Sequence, residues 1–381
     1  TTSGATGIVT VADNSALTVQ GTSGTVTLAG GNSAVGYLNI TSTATVSIAG
    51  SLIICPNAYG YGEVNLSGNS RMDLGTNGTI TIASSDNAMG ALNLSGNATL
   101  YAGAVSKYLR HGYGNNARAF FNLNSGVFAA TNTIFEPYAF YGEINLAGGE
   151  SHGREYRFTG SGAVGTTNKL TVTGGRHVVG ASGIGLGNGN NRVDVSLVTV
   201  SGGELISDQS GITLGVGTAV PAVAPIQKLT VSGGRFSVGA NAVRVANSNP
   251  SFGRVELTGG ELEAAVIAGG AASLNQGGTG YSSFLANGGK IIFSAAGANR
   301  FENLDDAKIG ANGLELVNST LVTVNQAFTD VDGTPGTIVK SGTGILAASK
   351  TSSHASTLVT GGELKLGTGV SQFEQNLRLA N

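Results

Sequence analysis

Tryptophan is missing from this chain, cysteine occurs once, methionine twice and proline six times. A lone cysteine, Cys55, excludes an intrachain disulfide framework and any cysteine-based zinc cluster. The four histidines (His111, His152, His177, His354) form no pair at helical or strand spacing, so a histidine metal site has no sequence support either. Charge is scarce: 11% of residues are charged, against roughly a quarter in ordinary soluble proteins. The formal net charge of -2 offers no basic footprint for nucleic acid or an anionic membrane. No apolar run reaches the ~18 residues of a membrane helix. A strict glycine at every third residue is lacking, which excludes a collagen helix. Disorder calls for low hydrophobicity and high net charge, whereas 40% of these 381 residues are hydrophobic. No secretory signal opens the chain, which begins at Thr1 with "TTSGATGIVTV"; a processed or excised chain is expected.

What is present is glycine, 62 residues of it, and a repeat. The frame apolar-x-apolar followed by small turn residues recurs at Leu17, Leu38, Val64, Leu92, Phe121 and Ile144. It continues at Leu170, Val198, Leu229, Val255, Phe284 and Leu314, and a last copy starts at Thr357. The mean interval up to Leu314 is 27 residues. Apolar-x-apolar marks a strand with one buried face. A second set of alternating pieces keeps step with the first: Ile184, Ile212 and Val243 each lie ten residues beyond the first glycine of a Gly pair. Several short strands per period, separated by glycine and asparagine turns, describe one coil of an all-β parallel solenoid. Dividing length by period predicts about 14 coils of about 27 residues. Residues 1–16 are expected to form a cap or pairing strand, 17–322 the regular coils, and 323–381 the C-terminal coils and end segment.

Stacked coils bring equivalent residues within strand spacing, where like charges repel and opposite charges attract. The residue after the Gly pair obeys this rule, alternating Glu150, Arg176, Glu204, Arg235, Glu261, Lys290. Between the two apolar residues stands asparagine in five successive coils, Asn39, Asn65, Asn93, Asn122 and Asn145, then threonine at Thr171, Thr199 and Thr230. Stacked amides can pass hydrogen bonds from coil to coil. Both rows read as structural ladders.

Late in the chain, "GTIVKSGTGILAASKTSSHASTLVTGGELKLG" (336–367) resembles the autotransporter-associated β-strand repeat. Gly336, Ile338, Lys340, Gly342, Gly344 and Leu346 match its first half, and Val359, Gly362 and Leu364 its second. The customary polar middle is replaced by "SKTSSHAS". The resemblance implies a right-handed parallel β-helix, bacterial, secreted and displayed at the cell surface or released. Passengers of this kind are mostly adhesins, with some enzymes. The family's translocating barrel is not among these residues, so a cut passenger or a secreted relative is expected.

Carbohydrate-active enzymes also use parallel β-helices, which directs attention to the acids Asp305/Asp306 and Asp330/Asp332. The motifs of galacturonases and pectate lyases are missing around them, and catalysis is not expected. Asp330 and Asp332 beside Gly333 form a weak calcium candidate, the ordinary alternative being an Asp-Gly turn. No cofactor is implied. Tyrosines gather in turn regions (Tyr59, Tyr61, Tyr113, Tyr138, Tyr141), and "YGEVNL" recurs as "YGEINL" 80 residues on. Such rings suit a binding surface for glycans or a neighbouring molecule. The expected function is therefore a non-enzymatic extracellular scaffold whose partners are copies of itself, joined end to end or laterally, or surface glycans. A carbohydrate- or host-binding adhesin is the alternative, and a polysaccharide lyase or hydrolase the third.

Overall fold

A computed structural model describes residues 4–21, 24–76, 78–103, 107–112, 114–137, 140–159, 165–187, 195–215, 226–248, 251–294, 298–368, 370 and 376–379. The chain is an all-β parallel solenoid of about 12 turns of about 26 residues, with 58% of residues in strands. It forms two compact units: Thr1–Ser182 with Gly187–Ser196, and Gly183–Leu186 with Leu197–Asn381.

Each regular coil has three strands. In the first unit a six-residue strand such as Val35–Ile40 makes the first face, Thr45–Ile48 the second and Leu52–Ile54 the third. Along the first face alternate residues are buried, which is the physical content of apolar-x-apolar. Leu38, Val64, Leu92, Phe121, Ile144 and Leu170 lie over one another as one interior column. All six are buried to 1% exposure or less. Backbone hydrogen bonds run from coil to coil, and like packs on like.

Aromatic rings fill the interior between the three faces in places. Phe121, Phe128 and Phe135 sit with centroids 5.0–5.9 Å apart, and Tyr156 stacks on Phe135 at 4.5 Å. In the second unit Phe284, Phe301 and Phe328 repeat the device at 5.2 and 5.1 Å. There the interior of the third face runs Ile184, Ile212, Val243, Ile267, Phe301 and Val324.

The Gly pairs have a steric cause. Gly234 has φ +61, and a Cβ there would lie 2.5 Å from the carbonyl oxygen of Gly203 in the coil beside it. Gly260, at φ +65, meets Gly234 O in the same way at 2.6 Å. Backbone stacks directly on backbone at these corners, leaving no room for a side chain.

Two details differ from the expectation. The turns are fewer and slightly shorter than about 14 of about 27, because length over period counts segments that complete no coil. Among the described residues, no first-face strand follows Thr329–Asp330. Secondly, the frame copies at Leu17, Leu314 and Thr357 lie on the second face, not the first: Leu17 pairs with Val46, Leu316 with Ile291 and Thr357 with Ile338. Their places on the first face belong to Val9 over Leu38 and Ala307 over Phe284, with none for Thr357. All three faces bury alternate residues, so the pattern alone does not say which face a strand occupies. Thr6–Val11, within residues 1–16, where a cap or pairing strand was expected, pairs along its whole length with Val35–Ile40 as a first-face strand.

Candidate functional site

The outer surface of the first face in the first unit carries three parallel columns of side chains. The deepest in chain order is the asparagine row. Asn65 Nδ2 donates to Asn39 Oδ1 at 3.0 Å, Asn93 to Asn65 at 2.8 Å, Asn122 to Asn93 at 2.7 Å and Asn145 to Asn122 at 2.9 Å. Every amide between the ends both gives and accepts, in one direction. Asn145 then pairs with Thr171.

The neighbouring column is Tyr37, Glu63, Ala91, Phe120, Glu143 and Lys169. Beside it stand Val35, Tyr61, Met89, Arg118, Tyr141 and Thr167. Tyr61 and Tyr141 therefore share a column but are separated by Met89 and Arg118. The two "YGE" segments build similar sites. The Tyr61 hydroxyl donates to Glu63 Oε2 at 2.6 Å, and Tyr141 donates to Glu143. Burial, then Glu63, pushes the Tyr61 hydroxyl well above its ordinary range, so it stays a donor. At Glu143 burial pushes the carboxyl up, but donors from Tyr141, Lys169 and Asn145 outweigh it and hold it below its usual value. Lys169 Nζ completes the second site, 2.8 Å from Tyr141 Oη and 3.1 Å from Glu143 Oε1. Tyr37 packs on Tyr61 at 5.9 Å and Phe120 on Tyr141 at 6.1 Å. Tyr59 projects from the preceding turn, 69% exposed. Tyr113 and Tyr138 lie outside the described residues.

Sequence reasoning missed Tyr37, Phe120, Glu63, Glu143 and Lys169 as members of this surface. Their common signal was position: each stands two residues before the asparagine or threonine of its coil.

The charged row lies at the start of the second face. In the first unit Glu150 and Arg176 open neighbouring strands, the Arg176 amide donating to Gly149 O at 2.9 Å. In the second unit Glu204, Arg235, Glu261, Lys290 and then Glu315 are successive rungs. Lys290 Nζ is 2.7 Å from Glu261 Oε1 and Arg235 Nη1 3.5 Å from Glu204 Oε1. Arg235 makes its closer bond diagonally, to Glu263.

Asp330 Oδ1 accepts from the backbone amides of Gly336 at 2.8 Å and Ala355 at 3.2 Å. It braces the turn and its neighbour. No group of three or more potential metal ligands occurs among the described residues. Lys340, the lysine of the repeat motif, is fully buried beneath Leu316. Its Nζ donates to the carbonyls of Ser341, Gly342 and Gly361 at 2.8, 3.0 and 2.8 Å. Comparison of the chain with family models, with curated proteins and with solved structures gave no match.

Proposed function

We propose that this chain is a non-enzymatic extracellular structural protein, a surface or matrix scaffold whose copies associate with one another. One observation carries the reading: outward polar side chains spend their hydrogen bonds and charges on one another, many of them on the coil above or below and others along their own strand. The asparagine row is bonded in series. Lys228 pairs with Glu256, Lys290 with Glu261 and Arg110 with Glu136. A surface so committed holds register and is a poor source of reactive groups. Two further points support association and export: a net charge of -2 gives little repulsion between copies, and the 336–367 segment resembles autotransporter repeats.

Sedimentation and negative-stain imaging over a wide concentration range test the proposal. Linear assemblies that grow with concentration are expected; monomers throughout would overturn it. A second reading, a host-binding adhesin, draws on the paired Tyr–Glu sites at Tyr61 and Tyr141. Its test is whole-cell binding, which Tyr61→Ala with Tyr141→Ala is expected to reduce.

A further inference from the structure

The second unit contains polar side chains that the ladders do not use. Asp305 and Asp306 are adjacent in sequence and opposite in circumstance. Asp305 is saturated: Oδ1 accepts from Ser273 Oγ at 2.8 Å and the Asn275 amide at 2.7 Å. Its Oδ2 accepts from the Leu274 amide at 3.2 Å and from the amide and hydroxyl of Ser282 at 2.8 and 3.0 Å. Burial pushes this carboxyl up, but these donors outweigh it and hold it below its usual value.

Asp306 instead borders open space on two sides; its carboxylate accepts from the Tyr281 hydroxyl and has Lys308 Nζ at 3.8 Å. On one side a cavity of about 350 Å³ is lined by Asp306, Asn303, Asn325, Thr329 and Lys350. The side-chain amides of Asn303 and Asn325 Nδ2, the Thr329 hydroxyl and the Lys350 ammonium make no hydrogen bond to another described residue. On the other side a cavity of about 320 Å³ is lined by Asp306, Tyr281, Ser283, Arg254 and Lys308. Tyr281, 36% exposed, pairs with Phe252, 37% exposed, so two rings stand on successive rungs at its edge.

We propose that this double pocket around Asp306 binds a neutral oligosaccharide. Sugars present dense hydroxyls on their edges and apolar C–H faces. The pocket answers the first with the uncommitted Asn303 and Asn325 amides, the Thr329 hydroxyl and the Lys350 ammonium, beside an Asp306 carboxylate already held by Tyr281, and the second with the Tyr281 and Phe252 rings. Its charges offset one another: Lys308 Nζ lies 3.8 Å from Asp306, and Arg254 is 2.8 Å from Glu256. That balance favours an uncharged ligand over a uronate chain. The pocket binds without cleaving, because glycoside hydrolysis takes two available carboxyl groups, whereas Asp305 is saturated by its donors and Asp306 is held by Tyr281 and Lys308. This function is independent of the scaffold reading, which concerns association between copies.

The test is calorimetric and NMR titration of the intact chain with gluco-oligosaccharides and N-acetylhexosamine oligosaccharides, with hexuronate oligomers as the acidic comparison. A neutral oligosaccharide is expected to bind, and Asp306→Ala, Tyr281→Ala and Lys350→Ala are each expected to raise its Kd at least tenfold. Lys350 is exposed at the rim, so its variant folds normally, which an unchanged unfolding midpoint verifies. Three results would each overturn the proposal: no neutral oligosaccharide binds at millimolar concentration, only hexuronates bind, or the Lys350 and Asp306 variants bind as the parent does.

Discussion

In the first unit five asparagines lie over one another and hydrogen-bond in series; in the second, Glu204, Arg235, Glu261, Lys290 and Glu315 occupy successive rungs with alternating sign. Both rows face the same constraint, that equivalent residues of adjacent coils meet at strand spacing. An amide is donor and acceptor at once, so identical copies satisfy one another and the residue can repeat unchanged. A charge can do nothing with its own copy except repel it, so the sign must change at each coil. The low charge content of the chain has the same origin: every outward charge needs an opposite partner, either one coil away, as Lys290 has Glu261, or two residues along its own strand, as Arg71 has Asp73.

Each unit carries a buried histidine that ties it to acid. His111, in the first unit, is fully buried, and neither ring nitrogen has a hydrogen-bond partner among the described residues. Burial pulls its pKa down to about 3. His354, in the second unit, is pulled down to about 4 by burial, partly relieved by Asp330, and its Nε2 lies 2.8 Å from Thr357 Oγ1. A histidine depressed in the fold takes up its proton more readily when unfolded. The stability it guards is intact above the ordinary value near 6.5 and is lost as pH falls toward the folded value. At His111 this amounts to about 3 kcal/mol by pH 4. Hydrogen exchange is expected to show protection falling around both His111 and His354 as pH drops from about 6.5 toward 4. His111→Leu is expected to flatten the acid limb of the first unit, and equal acid lability in both variant and parent would refute the assignment.

Reversing one sign in the charged row comes next. Arg235→Glu places a fourth carboxylate beside Glu204, Glu261 and Glu263. A loss of about 2 kcal/mol is expected at low salt, much of it recovered near 1 M salt, where the screening length is about 3 Å. Cutting the amide row is expected to cost a little less. Asn93→Ala removes donations to Asn65 and Glu63 and leaves Asn122 without its acceptor. About 1.5 kcal/mol is expected, unaffected by salt, because partly buried dipoles rather than net charges are involved. Urea unfolding of both variants at two salt concentrations separates the rows.

These rows were legible because they repeat a residue or a sign at a fixed place in the frame. Spacing alone places Asn39 through Asn145 in one column, and Glu204 through Lys290 in another. The frame failed where three faces share one burial pattern: Leu17, Leu314 and Thr357 have the right alternation and sit on the second face. The column Tyr37, Glu63, Ala91, Phe120, Glu143, Lys169 left no sequence pattern because each coil uses a different kind of residue there. Nor could sequence separate Asp305 from Asp306. The difference rests on Ser273, Asn275 and Ser282, which reach Asp305 from another coil. Lys340 was visible as a motif lysine, yet only the stacking beneath Leu316 shows that its charge is spent on three interior carbonyls.

The smallest effect says what the alternation is for. Lys290 and Glu261 make a close pair at 2.7 Å, and about a third of each side chain is exposed. Exposed pairs contribute little, since attraction in high dielectric is offset by the entropy of holding two long side chains in place. Lys290→Gln is therefore expected to lower stability by less than about 0.5 kcal/mol in urea unfolding, whereas a second Lys at position 261 would bring like charges onto adjacent rungs and cost several times more. If neutralisation and reversal prove equally costly, the attraction itself holds the coils together. If only reversal is costly, the row works by penalising coils that slip by one full turn, since such a slip would set Glu261 over Glu204 and Lys290 over Arg235. The weakness of each exposed pair favours the second outcome: alternation guards register, and the buried columns supply the stability.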